Sequence, residues 1–164
     1  MVQEDALSLN DSSLRSPALW ASVVTELTSP TSALEPTLRR LAEAIGSTLT
    51  TATVIFVRGA DGVLDPVGVY DTDQQRITGL RDLFALGRPS VGEGIIGRVA
   101  ESAESTYIPD PEAVPQDARL PPYRGYAELW ELNSFLATPI TSGGEVLGVL
   151  TLSRHGDHPP VQAT

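Results

Sequence analysis

The stretch VGEGIIGRVA (residues 91–100), read with SFLATPI (134–140) and EVLGVLTLS (145–153), decides the fold. The first places Gly92, Gly94 and Gly97 ahead of and inside an apolar run at helical spacing, which predicts a tight turn entering a short helix. The other two are rich in β-branched and apolar residues and flank Ser142-Gly143-Gly144. That pattern predicts a closing β-hairpin. The final strand is apolar almost without interruption, so both of its faces should be covered.

Working outward, residues 106–108 (TYI) predict a brief strand just after the glycine-led turn. Before the turn, Asp71 is read as the cap of a helix carrying Ile77, Leu80 and Phe84 and closed by Gly87. Further upstream, residues 51–57 (TATVIFV) and 63–70 predict two strands, paired as a hairpin through Ala60-Asp61-Gly62. Pro66 pushes the second of them toward a sheet edge or a bulge. Two helices are predicted ahead of these strands. One covers 16–29, with Ser16-Pro17 as its start and Trp20, Val23, Val24 and Leu27 as its apolar face. The other covers 32–46, with a Ser32/Glu35 capping box, a stripe of Leu34, Leu38, Leu41 and Ile45, and Gly46 as the residue that ends it.

Residues 109–133 form a long proline-rich connection, with one helical turn expected at 129–132. Residues 1–15 are read as a loose polar tail, 16–155 as one domain and 156–164 as a second tail. The whole predicts a mixed α/β (α+β) domain built on an antiparallel sheet. Helices should cover one face, and irregular segments the other.

Composition removes several function classes. The chain has 164 residues, enough for one ordinary domain with a real core. It has no cysteine, which excludes disulfides, thiolate catalysis and thioether attachment of a chromophore. All eleven basic residues are arginine, so Schiff-base chemistry and a P-loop lysine are absent too. A net charge of −10 with no basic stripe argues against nucleic acid. No apolar run reaches the roughly 20 residues that span a bilayer, and the acidic N-terminus does not read as a signal peptide, so no membrane and a cytoplasmic location are expected.

The glycine turn at 91–100 resembles the corresponding turn of GAF domains. Tyr107-Ile108-Pro109-Asp110 resembles the short strand that follows it there, and residues 134–140 and 144–150 resemble the family's closing hairpin. The likeness runs over about residues 32–154. It implies a small-molecule-binding and dimerising module of signalling proteins, without catalysis of its own. It implies a central antiparallel sheet, helices on one face, and a ligand pocket on the other beneath the 109–133 segment. The expected partners are an unidentified small molecule, a second copy through the N-terminal helices, and an output domain in the same or another chain. Without lysine, the Asn-Lys…Phe…Asp-Glu signature of cyclic-nucleotide GAF domains cannot be formed. Without cysteine, covalent bilin is disfavoured, and so is the sulfoxide reductase chemistry of some relatives. With no histidine before residue 155, haem is disfavoured as well. The family's usual long C-terminal helix has no counterpart before Thr164, as in a piece of a longer protein or one completed by a partner.

The resemblance and the aromatic clustering together nominate ligand-binding residues: Phe56, Tyr70, Phe84, Ile96, Tyr107, Asp110, Tyr123, Tyr126, Trp130 and Thr138. Each has a blander reading as core packing or, for Asp110, as a turn opener before Pro111. Phe135 reads as pure core. Gly92-x-Gly94-x-x-Gly97 spells a dinucleotide fingerprint, but no buried strand precedes it, so close helix–sheet packing is the better reading. His155 and His158 lack a third ligand and read as a solvated tail. Ser134 sits in no nucleophile elbow. No catalytic residue and no metal site are expected. An interaction module with an occluded pocket is the alternative function, and an enzyme ranks last.

Overall fold

The computed structural model describes residues 34–111, 121–156 and 159. The predicted tail at 1–15, the helix over 16–29 with its dimer contact, the Ser32 cap and His158 lie outside the described residues. Among these described residues nine elements follow in order. They are α1 (Leu34–Leu49), β1 (Ala52–Arg58), β2 (Leu64–Tyr70), α2 (Gln74–Leu86), α3 (Gly94–Ser102), β3 (Thr106–Ile108), α4 (Pro121–Leu129), β4 (Leu132–Ser142) and β5 (Glu145–His155). The strands form one sheet in the order β2-β1-β5-β4-β3, and every pairing is antiparallel. The α+β class and the antiparallel central sheet are therefore as expected.

The two hairpins explain themselves locally. Between β1 and β2, the Asp61 carboxylate accepts from the Val63 amide at 3.1 Å, and Gly62 takes φ +81°. Between β4 and β5, Gly143 and Gly144 take φ +59° and +83°, the two left-handed residues of a tight hairpin turn. Pro66 lies on the edge strand β2, where the register slips opposite Ile55 and Phe56. Proline has no amide to donate, so an edge bulge is where it is tolerated.

Strand parity sorts the side chains into two faces. One face carries the rows Tyr107-Leu136-Leu152-Thr53-Tyr70 and Thr138-Leu150-Ile55-Gly68. Helix α1 packs on the β1–β2 side of this face, and it does so through small residues. A Cβ on Gly68 would lie 2.6 Å from the Leu38 carbonyl oxygen, and one on Gly46 would lie 2.2 Å from the Tyr70 ring. This corrects the reading of Gly46 as a terminator. The helix runs on to Leu49, and Thr50 takes the left-handed φ of +54° instead. The Thr51 amide then reaches back to the Gly46 carbonyl at 3.0 Å, closing the helix with a Schellman bond. Gly46 serves close approach, not termination. The buried stripe shifts accordingly to Thr37, Ala42, Gly46 and Leu49, and Leu34 is exposed.

The opposite face carries Ile108-Phe135-Ser153-Ala52, Thr106-Ala137-Thr151-Val54-Val69 and Pro139-Val149-Phe56-Pro66. The segments above it hold α2, α3 and α4, and the main core lies between them and the sheet. Two predicted boundaries move here. The cap of α2 is Asp73, whose carboxylate accepts from the Gln75 amide at 2.8 Å; Asp71 has another task, described below. The 109–133 connection contains α4, which opens on Pro121-Pro122, whereas the sequence led us to expect only a turn at 129–132. Prolines are well tolerated in a helix's first turn, so the prolines read as loop markers are here also a helix start.

Candidate ligand-binding site

The glycine corner positions one wall. Gly92 and Gly94 take φ +85° and +60°, which residues with a side chain adopt only with strain. The backbone folds so tightly that a Cβ on Gly97 would sit 1.9 Å from the Ser90 carbonyl oxygen. The Gly92 amide donates to the Gly97 carbonyl at 2.8 Å, and the Val91 amide donates to the Gly62 carbonyl at 2.9 Å. These bonds pin the start of α3 to the β1–β2 turn and aim Ile95 and Ile96 at the sheet. The corner is a packing device, as the missing parallel strand suggested.

Between the sheet, α2, α3 and α4 lies a cavity of about 640 Å³. Its body is apolar: Val54, Phe56, Leu80, Leu83, Phe84, Ile95, Ile96, Ile108 and Phe135. Phe56 and Phe84 meet edge to face at 5.4 Å, and Tyr123 tilts against Phe84 at 6.4 Å. Polar groups come from Thr151 and Ser153 on the sheet, Glu93 at the start of α3, and Arg124, Glu128 and Glu131 on and just after α4. Arg124 and Glu128 pair with each other at 2.8 Å.

Of the nominated residues, Phe56, Phe84, Ile96, Tyr123 and Tyr126 line this cavity. Tyr70, Tyr107 and Thr138 lie on the opposite sheet face. Tyr70 packs on Gly46, Tyr107 joins Leu49, Leu136 and Leu152, and the Thr138 hydroxyl bonds that of Ser105 at 2.8 Å. Trp130 sits beside the cavity against Gly79, and Asp110 is exposed after β3; neither lines the cavity. Phe135, read as pure core, is on the wall. The sequence reading also passed over Leu80, Leu83, Thr151 and Ser153 as lining. Parity was the available signal: once Phe56 faces the cavity, Val54 must too, and the paired strand then offers 149, 151 and 153.

A polar cluster supports the α4 side. The Asp71 carboxylate accepts from Arg76 Nε at 2.8 Å and Nη2 at 2.7 Å, and from the Asp73 amide at 2.8 Å. Burial disfavours its ionisation, but these bonds and the guanidinium charge outweigh that and hold its pKa below the usual carboxylate value. Arg76 is in turn pushed up, chiefly by the Asp71 hydrogen bond. Burial drives the Tyr123 and Tyr126 hydroxyls far above their ordinary pKa, so both stay neutral. His155 corrects the solvated-tail reading. It ends β5, is only 4% exposed, and stacks edge to face with Tyr126 at 6.0 Å. Its Nδ1 lies 2.9 Å from the Trp130 carbonyl oxygen and its Nε2 lies 3.3 Å from Ser153 Oγ. The Ser134 hydroxyl is fully buried and donates to Asn133 Oδ1 at 3.1 Å.

The sequence model that describes the GAF domain matches residues 33–163. The chain belongs to the GAF domain family. Solved GAF domains share its fold. That of A. aeolicus nlh2, in an inactive state, aligns with TM-score 0.65 and 21% identity over 92% of this chain and 83% of its own. The GAF domain of a phosphoenolpyruvate-protein phosphotransferase from Coxiella burnetii gives 0.65 and 23% over 89% and 79%. The free methionine-R-sulfoxide reductase of Neisseria meningitidis, solved with its substrate, gives 0.62 and 16% over 87% and 75%. Comparison with curated proteins gives no match. Membership of the GAF family supports a general sensory or regulatory role. Among the described residues no group of three or more His, Cys, Asp or Glu is arranged for a metal, and no helix is long and apolar enough to cross a membrane.

Proposed function

We propose that this GAF domain is a sensor that takes a small molecule into the cavity between the sheet and α4 and passes the binding event to a linked or partner output domain. The observation that carries the reading is the cavity itself. About 640 Å³ is within the range of small-molecule sites, and an apolar body with few polar groups is their usual chemistry. Phe56, Phe84, Ile96, Tyr123 and Tyr126 are its proposed contacts. A ligand there would bridge the sheet and α4, shifting the population of α4 toward its docked position. No catalytic role is assigned to the lining.

The test is a thermal shift across a metabolite panel, run on the wild-type protein and on Ile96→Trp, which fills the cavity. A ligand that binds only the folded state at 100 times its Kd stabilises it by about 2.7 kcal/mol. That is a shift of about 8 °C for a domain of this size. The shift should vanish in Ile96→Trp. A shift of equal size in both proteins would place binding elsewhere.

A further inference from the structure

We propose that the cavity selects a ligand with an apolar body and a hydrogen-bond-donating head, neutral or cationic, received by Thr151 and Ser153. This rests on the cavity being the ligand site.

The polarity of the two sheet hydroxyls is set by what lies behind them. A backbone carbonyl can only accept, so the contact between His155 Nδ1 and the Trp130 oxygen at 2.9 Å puts the ring proton on Nδ1. In the neutral imidazole, Nε2 then carries a lone pair. Ser153 Oγ, 3.3 Å away, must donate to it. Thr151 is committed in the same way, its Oγ1 donating to the Val54 carbonyl at 3.4 Å. Each hydroxyl has one proton, and both protons are spent on the protein. What Thr151 and Ser153 offer the cavity is lone pairs.

The rest of the lining points the same way. Tyr123 and Tyr126 contribute aromatic rings to the lining, and their hydroxyls are buried without a hydrogen-bond partner among the described residues. Among the described residues the lining carboxylates are Glu93, Glu128 and Glu131, while the lining guanidinium, Arg124, is paired with Glu128. An anionic head would meet an excess of negative charge. A head lacking a donor would leave the lone pairs of Thr151 and Ser153 without a partner, although both keep the bonds they donate to Val54 and His155, and that costs free energy. An amine carries protons enough for both residues, and an alcohol or an amide N–H satisfies one of them.

Four probes on one aromatic body separate the possibilities: 2-naphthylmethanol, 2-naphthylmethylamine, 2-methylnaphthalene and 2-naphthoate. Binding is titrated with the full chain at pH 8.5, where the amine is still charged. The alcohol and the amine should bind about five- to tenfold tighter than 2-methylnaphthalene, the worth of one or two net hydrogen bonds, and 2-naphthoate weakest. Ser153→Ala should bring the alcohol to within about twofold of the hydrocarbon while leaving the hydrocarbon's own Kd unchanged. Thr151→Val provides a second, isosteric variant should the first fold poorly. Equal affinity for all four, or 2-naphthoate binding tightest through the amides at the start of α3, would overturn the head-group assignment with the ligand site intact. Binding by none of the four, even the hydrocarbon, would instead count against the cavity as a ligand site.

Discussion

Single residues do two kinds of work in this domain. Gly97 is a matter of space: its missing Cβ lets the Ser90 carbonyl come within reach of the α3 backbone. Gly148 does the same between β5 and β1, where a Cβ would lie 2.1 Å from the Phe56 carbonyl oxygen. Both neighbours are backbone atoms and cannot swing aside. Gly97→Ala should therefore destabilise by about 3 kcal/mol, the upper end of what overpacking with a backbone shift typically costs. Gly143→Ala, whose Cβ meets nothing within 4 Å but whose φ is +59°, should cost only about 1 kcal/mol. Urea unfolding of the two variants checks the ordering. A Gly97→Ala protein as stable as the Gly143→Ala protein would mean that the corner gives way easily. Gly97 could be singled out in the sequence by its place in the turn. Gly46 could not be read correctly, because its neighbour Tyr70 is 24 positions away in a different element.

At the scale of elements, α4 is the piece whose position matters most. It is attached to the body through the Trp130 carbonyl, held by His155, and through the Glu131 carbonyl, which accepts from the Gly156 amide at 2.9 Å. It carries Tyr123 and Tyr126 into the cavity wall, three residues apart on one helical face. A ligand in the cavity would add contacts to that face and to the sheet at once. The expected outcome is slower amide hydrogen exchange over residues 123–130 on saturation with ligand, with α1 on the opposite sheet face unchanged. Protection of α1 alone would be incompatible with the cavity as the site. Helix α4 was hidden in the sequence by its prolines, which mark a loop and a helix start equally well. The β-hairpins were legible because their turns carry glycines at the positions that need a left-handed backbone.

On the scale of the whole molecule, the Asp71–Arg76 pair ties the end of β2 to α2, with the Asp71 side chain 2% exposed and that of Arg76 19%. Removing one partner of such a buried pair strands the other, at a cost of about 3 kcal/mol. Asp71 has a depressed pKa in the folded state, so its stabilisation is fully present above the unfolded carboxylate value of 3.8. It is lost as pH falls through the lower folded value. Asp71→Asn should therefore be less stable than wild type at pH 7, with the gap narrowing steadily below about pH 4. Unfolding midpoints at pH 7, 4 and 3 measure this. A gap independent of pH would show that the ionised carboxylate is not what stabilises the fold.

The order of elements apart from α4, the antiparallel hairpins, the glycine corner and the GAF likeness were set by local sequence, because turn geometry and hydrophobic period depend on residues within a few positions of one another. The sheet face that each side chain occupies was not. Tyr70, Tyr107 and Thr138 have the chemistry of cavity residues and lie on the other face, while Ser153, read only as the end of the last strand, stands at the cavity, and His155, read as the start of a tail, stands behind it. Facing is fixed by cross-strand register and by which helix comes to lie above, and a shift of one residue in pairing reverses it. Only the tertiary structure carries that information.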